Sequence, residues 1–291
     1  AQGFLDKEGI QTVILYPSEG VTPLQESQFA TLGRNVHALK VSGTFDDCQN
    51  MVKSAFLDPE LNRQIKLGSA NSINIGRLLP QVFYYFHAYG QLPGNEPTLF
   101  SVPSGNFGNL TAGLIAKRLG LPVRGFSAAT NINDTVPEYL ITGHVRTRPS
   151  IRTISNAMDV GDPSNLARME YLYNRDVSRI RKDIVGSVHS DEETRLCIRE
   201  IYKSTGKILD PHSAVGYLGI ESGLLEFGAG PSTFLMTAHP IKFRETVEQE
   251  IDSALEIPEM ISSVLSAKRQ VVSIGTDLSE LRDFLIESKE T

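Results

Sequence analysis

The order in which apolar runs and capped segments follow one another limits what this chain can fold into. Runs rich in β-branched residues, such as "TVILYP" at residues 12–17 and "VHALKV" at residues 36–41, alternate with segments of helical pattern. Because a helical crossover returns the chain to the same end of a sheet, strands joined in this way lie parallel. The alternation therefore predicts an α/β fold with open, mainly parallel sheets covered by helices.

Capping residues mark where several of these helices begin. Thr22 is followed by Pro23, and Ser190 is followed three residues later by Glu193, which are both patterns typical of a helix N-terminus. Gly206 comes after the second of these helices and is expected to end it. Further strands are expected at residues 97–103, 122–129 and 232–238, with a helix between the first two at about residues 107–119.

The charge balance and the cysteine content exclude several classes of protein. The 34 acidic residues outnumber the 28 basic ones and give a net charge of −6, so we expect no broad cationic surface for nucleic acid or for a membrane. No apolar run has the length of about 20 residues that a membrane helix needs. Cys48 and Cys197 are far apart, and the histidines lack metal-ligand spacing. We therefore expect no metal site and a reducing, cytoplasmic location.

The most informative stretch is "SVPSGNFGNLTAGLIAKRLG" at residues 101–120, where a glycine-rich loop joins a strand to a helix. Gly105 and Gly108 are expected to take backbone conformations closed to other residues, so that several N–H groups converge on one anion. Phosphate is the natural ligand at such a helix start. The stretch has neither the Walker pattern nor the dinucleotide-binding glycine pattern. A glycine-rich turn without any ligand is the alternative.

A second candidate site lies in "GSANSIN" at residues 68–74, which we expect to follow a strand and precede a long aromatic helix. Asn71, Ser72 and Asn74 offer amides and a hydroxyl, and Arg77 offers a guanidinium to a carboxylate or a phosphate. A capping cluster and a surface arginine are the alternatives.

Two further segments have the pattern of a capped helix. Asp162 precedes Pro163 and Asp210 precedes Pro211, so each aspartate is expected to cap a helix whose first residue is proline. His212 is more simply interpreted as a buried, hydrogen-bonded histidine than as a catalytic one.

The segment "MTAHP" at residues 236–240 ends the strand expected at residues 232–238. Thr237 is expected to present its hydroxyl at the edge of the sheet where ligands bind, and a hydroxyl can bond to a ring nitrogen without adding charge. His239 is either an acid–base group or a helix-start residue.

Five segments, in this order along the chain, resemble the threonine synthases of the long bacterial and fungal type. They are "SANSINIGRLLPQ", "SVPSGNFGNLTAGLIAKRLGLPV", "NAMDVGDPSN", "LDPHSAVGY" and "TAHPIKF". The resemblance covers about residues 1–250. It implies a pyridoxal-phosphate enzyme with the fold of the tryptophan synthase β-subunit (fold type II). It also implies a lyase of threonine biosynthesis that converts O-phospho-L-homoserine, its small-molecule substrate, and water to L-threonine and phosphate.

The resemblance also assigns roles to residues and domains. The residues implied to bind the phosphate of the cofactor are Gly105, Asn106, Phe107, Gly108 and Asn109. Thr237 matches the residue that faces the pyridine nitrogen. The residues implied on the substrate side are Asn71, Ser72, Asn74 and Arg77. Residues 1–70 would be the remainder of a smaller α/β domain, and residues 71–291 a larger cofactor-binding α/β domain with a C-terminal helical tail.

One feature of the family has no match in this chain. The Schiff-base lysine of the family lies in an aromatic-Lys-Asp motif of an N-terminal segment, and no such motif occurs here. We therefore expect the lysine to precede Ala1 in a longer protein, leave the catalytic residue unassigned, and expect a chain without it to be inactive. Two alternatives stay open: another pyridoxal-phosphate lyase, such as a serine or threonine dehydratase, or a non-catalytic homologue that binds a phosphate or a metabolite.

Overall fold

The structure, a computed structural model, describes residues 1–19, 21–72, 74–259, 261 and 266–288. The chain divides into two units, one formed by Ala1–Gly68 with the described part of Glu256–Thr291, and the other by Ser69–Leu255. Each unit has a sheet and a buried core of its own. Within the described ranges, no helix combines the length and the apolar character needed to cross a membrane.

The regular elements alternate as the sequence predicts. The strands are β1 (Thr12–Pro17), β2 (Val36–Val41), β3 (Thr98–Pro103), β4 (Val123–Thr130), β5 (Ile184–Val188), β6 (Ser232–Phe234) and β7 (Val271–Ile274). The α-helices are α1 (Pro23–Ala30), α2 (Phe45–Leu57), α3 (Pro59–Gln64), α4 (Ile75–Tyr89), α5 (Gly108–Arg118), α6 (Thr135–Thr142), α7 (Leu166–Leu172), α8 (Val177–Ile180), α9 (Asp191–Thr205), α10 (Pro211–Phe227), α11 (Arg244–Ile251) and α12 (Leu278–Glu287). Short 3-10 helices occupy Gln2–Phe4, Asn156–Met158 and Pro240–Phe243.

Both sheets are parallel, which confirms the predicted fold class. The first unit has the strand order β1-β2-β7 and the second has β5-β4-β3-β6. Every residue of β3 is buried, as expected for a central strand of a parallel sheet with helices on both faces. Parallel neighbours end at the same edge of a sheet, so the loops that follow β3 and β6 leave from one edge.

The predicted helix caps are present. Thr22 and Ser190 each accept a hydrogen bond from the backbone N–H three residues on, and the side chain at that position bonds back to the N–H of the cap. Gly206 ends α9 with φ +71°, a left-handed conformation that favours glycine. These helix boundaries therefore follow from local sequence chemistry.

The C-terminal tail differs from the prediction. It contains β7 before α12, whereas the sequence suggested one helix in the larger domain. β7 pairs with β2, with Leu39 opposite Val272, and this pairing groups the tail with the first unit. A strand of four residues is too short for its pattern to identify it. The part of the tail at residues 260, 262–265 and 289–291 lies outside the described residues.

The core of the second unit brings α4 and α5 close to the sheet. The ring of Tyr85 lies 5.1 Å from that of Phe100, centre to centre, and both residues are fully buried. A Cβ on Gly113 of α5 would lie 2.7 Å from the ring of Phe126 and 2.8 Å from that of Tyr85. The glycine therefore permits the close packing of α5 against α4 and β4.

Candidate functional site

The loop of residues 104–107 joins β3 to α5. Its left-handed residue is Phe107, with φ 59°, whereas Gly105 and Gly108 have ordinary φ angles. The expectation that the two glycines supply unusual backbone conformations is therefore wrong. They allow close approach instead: a Cβ on Gly105 would lie 2.6 Å from Met158 Cα, and a Cβ on Gly108 would lie 3.1 Å from Ser72 Cβ.

The loop presents a row of backbone donors. The N–H groups of residues 105–109 make no hydrogen bond to any atom of the described residues. On either side the pairing resumes, because Ser104 N–H donates to Ala129 O at 2.9 Å and Leu110 N–H donates to Asn109 Oδ1 at 2.9 Å. The row lies at the N-terminus of α5, whose dipole adds positive potential there. The arrangement is suited to binding an anion.

Asn106 connects the loop to two other segments. Its Oδ1 accepts hydrogen bonds from Ser164 N–H at 2.7 Å and from Ser164 Oγ at 2.9 Å. Its Nδ2 donates to Ser72 Oγ at 2.6 Å, and its carbonyl accepts from Asn165 Nδ2 at 2.9 Å. Both ends of the side-chain amide therefore take part in holding the loop, and the backbone N–H of Asn106 is available to a ligand.

Asn109 and Phe107 fix the loop in a similar way. Asn109 Oδ1 accepts from Ser104 Oγ at 2.8 Å, Asn109 Nδ2 donates to Pro103 O at 2.8 Å, and the Asn109 carbonyl accepts from the Tyr85 hydroxyl at 2.7 Å. The Phe107 side chain is buried, and its carbonyl accepts from Thr111 Oγ1 at 2.7 Å. The loop is consequently a preformed backbone structure.

The segment at residues 69–77 follows α3 and not a strand as expected. Asn74 caps α4, because its Oδ1 accepts from Gly76 N–H at 2.9 Å while its Nδ2 donates to Ser69 O at 2.8 Å. Asn71 Oδ1 accepts from Ser72 Oγ at 3.0 Å. Arg77 is exposed, and its guanidinium has no partner within the part of the chain that the structure describes. The capping interpretation thus holds for Asn74, and Arg77 is left available.

Sequence reasoning missed three residues beside the loop: Ser164, Asn165 and Arg168. Arg168 donates to Asn165 Oδ1 at 2.6 Å and to Ser72 O at 3.1 Å, so it joins α7 to the 69–77 segment. The expected cap at Asp162 is wrong, because α7 begins at Leu166 and Asp162 is exposed in the preceding turn. Asn165, the residue before α7, is fully buried, and its Nδ2 donates to Asn106 O. The polar run "DPSN" was the available signal.

Thr237 lies beyond the end of its strand. The predicted strand 232–238 ends at Phe234, and Thr237 is exposed in the loop that follows. Its hydroxyl has no hydrogen-bond partner among the described residues. His239 Nδ1 accepts from Ile241 N–H at 3.2 Å, which makes His239 the helix-start residue that was one of its two interpretations.

Asp210 and His212 lie at the start of α10 as predicted. Asp210 caps the helix and accepts from His212 N–H at 3.0 Å and from Ser213 N–H at 3.3 Å. His212 is buried, with its ring 4.7 Å from that of Phe243. Both expectations from the sequence, a capping aspartate and a buried histidine, are confirmed.

Asp159 is a half-buried carboxyl near these segments, and its pKa is raised. Burial raises the pKa of its carboxyl to about 6, and nearby Asp191 adds to the rise, against the lowering effect of hydrogen bonds from Thr153 and Asn131. Its Oδ1 accepts from Thr153 Oγ1 at 2.7 Å and from Asn131 Nδ2 at 2.9 Å. Asp159 directly follows the 3-10 helix Asn156–Met158, which carries the backbone beneath Gly105.

Comparison with known proteins decides the family. A profile of pyridoxal-phosphate-dependent enzymes matches residues 5–237, and a profile of the threonine synthase C-terminal region matches residues 213–285. Threonine synthase from Serratia marcescens is 45% identical over 290 residues, which are 98% of this chain and 66% of the relative. The chain belongs to the threonine synthase family. It spans about two thirds of the length of these relatives.

Solved threonine synthases show the same fold. The Escherichia coli enzyme superposes with a TM-score of 0.92 at 42% identity, covering 99% of this chain and 67% of that one. The Brucella melitensis threonine synthase, solved with pyridoxal phosphate bound, has a TM-score of 0.86 at 31% identity and covers 100% of this chain and 68% of that one. The fold is therefore type II of the pyridoxal-phosphate-dependent enzymes, as the resemblance implied, and the family consists of lyases with this cofactor.

Proposed function

We propose that the protein to which this chain belongs is a threonine synthase, which converts O-phospho-L-homoserine and water to L-threonine and phosphate with pyridoxal phosphate. The observation that carries the proposal is the row of backbone N–H groups at residues 105–109 without partners among the described residues, at the end of a central parallel strand. Family membership indicates which anion this row serves. The lysine that the family requires stays a prediction.

The residues present fit the phosphate of the cofactor. A phosphate monoester has three oxygens that each need donors, and neutral backbone donors in a preformed loop supply them without reorganisation. The absence of a Cβ at Gly105 and Gly108 lets the loop lie against Met158 and Ser72 with its amides unobstructed by side chains. When bound, pyridoxal phosphate supplies an electron sink for carbanion chemistry at the amino acid.

We assign Thr237 to the pyridine nitrogen of the cofactor. Its exposed hydroxyl lacks a partner among the described residues, and it follows β6, the parallel neighbour of β3. A hydroxyl can donate a hydrogen bond to an unprotonated ring nitrogen, and it adds no negative charge that would favour protonation. With the Thr237 hydroxyl as its partner, the pyridine ring would be a weaker electron acceptor than it would be with a carboxylate as its partner.

We assign the substrate side to Asn71, Ser72, Asn74 and Arg77. The substrate carries a second phosphate. Arg77 lies in the first turn of α4, and its guanidinium has no partner in the described ranges. Asn74 contributes by starting that helix, because both ends of its side chain are used in the cap. Ser72 is held by Asn106, so the substrate segment and the phosphate loop are joined directly.

Activity measurements on the complete protein test the proposal. With added pyridoxal phosphate, we expect release of phosphate and formation of threonine from O-phospho-L-homoserine, with a kcat/KM well above that for L-serine or L-threonine. Preference for an unphosphorylated amino acid would identify a dehydratase instead, and a protein that binds the cofactor without turnover would identify a non-catalytic homologue. Arg77→Gln should raise KM for the phosphorylated substrate, whereas Arg63→Gln, an exposed arginine of α3, is the matched control.

We also propose a cytoplasmic location. Cys48 and Cys197 are both free and buried. Free thiols suit a reducing compartment. Fractionation of cells that express the complete protein would test this location.

A further inference from the structure

His212 has both ring nitrogens engaged in a way that fixes its tautomer. Ala157 N–H donates to His212 Nε2 at 3.2 Å, and a backbone N–H can only donate, so Nε2 carries no proton. Nδ1 therefore carries the ring hydrogen and donates it to Asp210 Oδ2 at 2.8 Å. With the ring buried, Asp210, His212 and the backbone of Ala157 form one directed chain of hydrogen bonds.

The Asp210 end of this chain is rigidly placed. Asp210 is fully buried and caps α10, and Ser213 Oγ also donates to its carboxylate. α10 lies directly on β3, because Ser101 Oγ donates to Gly216 O at 2.5 Å and a Cβ on Gly219 would lie 2.6 Å from Ser101 Oγ. The strand that leads into the phosphate loop thus also holds the helix that carries His212.

The Ala157 end lies beneath the phosphate loop. A Cβ on Gly105 would be 2.6 Å from Met158 Cα and 2.9 Å from Ala157 O. Met158 is buried in a small cluster with Ala129 and Val215. The backbone of residues 157–158 is therefore the surface on which the first glycine of the loop rests.

We propose that His212 is a positioning residue for the phosphate loop. By accepting the hydrogen bond of Ala157, it holds residues 157–158 against Gly105, and so sets the position of the first donor in the row at residues 105–109. The inference rests on the proposed function in that the ligand of the row is a phosphate. His212 touches no reacting atom in this assignment; it acts through Ala157 and Gly105.

Two amide substitutions separate this role from a merely structural one. Glutamine places its terminal amide at about the depth of Nε2, so His212→Gln can still offer an oxygen to Ala157 N–H. Asparagine ends at about the depth of Nδ1, so His212→Asn cannot reach Ala157. Both variants lose the imidazole ring that packs on Phe243, and each is therefore the other's control for lost packing.

The binding experiment uses the complete protein, with pyridoxal phosphate and inorganic phosphate as titrants in calorimetry. Loss of one hydrogen bond predicts that His212→Asn weakens binding of both titrants about five- to tenfold, with His212→Gln within about twofold of the unsubstituted chain. Equal affinities in the Asn variant and the unsubstituted chain would overturn the proposal. Equal weakening in the Gln and Asn variants would also overturn it, because packing would then explain the loss.

A measurement without ligand separates this inference from the proposed function. With ¹³C-carbonyl serine and ¹⁵N-glycine labelling, the three Ser–Gly pairs of the chain, 42–43, 104–105 and 222–223, give three resonances. The one that disappears in Ser104→Ala belongs to Gly105 and reports on the loop. We expect His212→Asn to shift this resonance and His212→Gln to leave it near its original position. If the unsubstituted chain binds neither titrant, the proposed function fails. The resonance then still decides the inference, and an unshifted Gly105 in the Asn variant contradicts it.

Discussion

Ser104 and Asn109 are joined across the loop, with Ser104 Oγ donating to Asn109 Oδ1 at 2.8 Å. The same side-chain amide donates from Nδ2 to Pro103 O at 2.8 Å, so one residue of α5 holds the end of β3 and the start of the loop. The amide needs both its acceptor and its donor for this. Asn109 therefore helps to maintain the curvature that exposes the backbone donors, together with the contacts of Asn106.

Replacing Asn109 by aspartate should weaken both the fold and the site. The acceptor is kept, but the donor to Pro103 O is lost, and a carboxylate is placed beside that carbonyl and beside the row of donors. We expect the free energy of unfolding to fall by about 1–3 kcal/mol, together with weaker pyridoxal phosphate binding. Urea unfolding and calorimetry measure the two effects.

The matched control for that substitution is Asn62→Asp. Asn62 is exposed, and its Nδ2 donates to two carbonyls at 2.8 Å, those of Phe56 and Asp58. Because water can replace these bonds, we expect a change below about 1 kcal/mol and no change in cofactor binding. Equal losses in the two variants would show that the hydrogen bonds of Asn109 have no special role.

Gly105→Ala should destabilise the chain through a steric overlap. The new methyl group would lie 2.6 Å from Met158 Cα and 2.9 Å from Ala157 O, and backbone atoms cannot turn aside as a flexible side chain can. We expect a loss of about 1–3 kcal/mol in the free energy of unfolding. Gly68→Ala is the control, since nothing lies within 4 Å of its Cβ position. If thermal unfolding of the two variants is indistinguishable, the contact under Gly105 is looser than described.

Much of the fold could be predicted because the signals were local. Thr22 and Ser190 mark helix starts through bonds that span only three residues, and the long alternation between strands and helices fixes a parallel sheet. β5 and β7 were missed because they have five and four residues, and pairing with a neighbouring strand defines such short elements better than their own pattern does.

The candidate site could be predicted less fully, since its geometry depends on contacts between distant parts of the chain. Gly105 lies against Met158, and Asn106 binds Ser164. In each pair the residues are more than fifty positions apart in the sequence, so local spacing does not predict these contacts. The left-handed conformation of Phe107 could not be predicted either, because glycine is the residue usually expected in that conformation. The motif order located the loop, and tertiary contacts decide how it works.

Asp159 should give the stability of the chain a distinct pH dependence. The pKa of its carboxyl is raised by burial to about 6, above the value of about 3.9 expected in the unfolded chain, so the folded state holds the proton more tightly. Its stabilising contribution is complete below about pH 4 and is lost as the pH rises through 6. After allowance for the partial solvent access of Asp159, we expect it to contribute about 1 kcal/mol to the free energy of unfolding at low pH.

Denaturant unfolding at several pH values, on the unsubstituted chain and on Asp159→Asn, checks this expectation. The variant loses an acceptor for Thr153 N–H, which bonds to Asp159 Oδ2 at 2.9 Å, and should be less stable at every pH. The informative quantity is the difference in slope between about pH 4 and about pH 7, where the variant should be flatter. Parallel curves for the two proteins would refute an elevated pKa at Asp159.

The two cysteines should be unreactive in the folded chain. Burial raises the pKa of both the Cys48 and the Cys197 thiol to about 12, so hardly any thiolate forms near neutral pH. We expect Ellman's reagent to modify neither thiol quickly in native buffer and to modify both in denaturant. Rapid labelling of one thiol before unfolding would indicate local opening around that residue.

The contacts that hold the phosphate loop imply that different residues select the phosphate group and the amino-acid substrate. The side-chain amides of Asn106 and Asn109 are engaged with protein partners, so the donors that residues 105–109 offer to a bound phosphate monoester are chiefly main-chain N–H groups. Main-chain amides select a ligand by the charge and size of its phosphate group. They make no contact that depends on the molecule attached beyond the ester oxygen. Discrimination between one amino-acid substrate and another must then be located elsewhere, and it can change without altering a single residue of the loop.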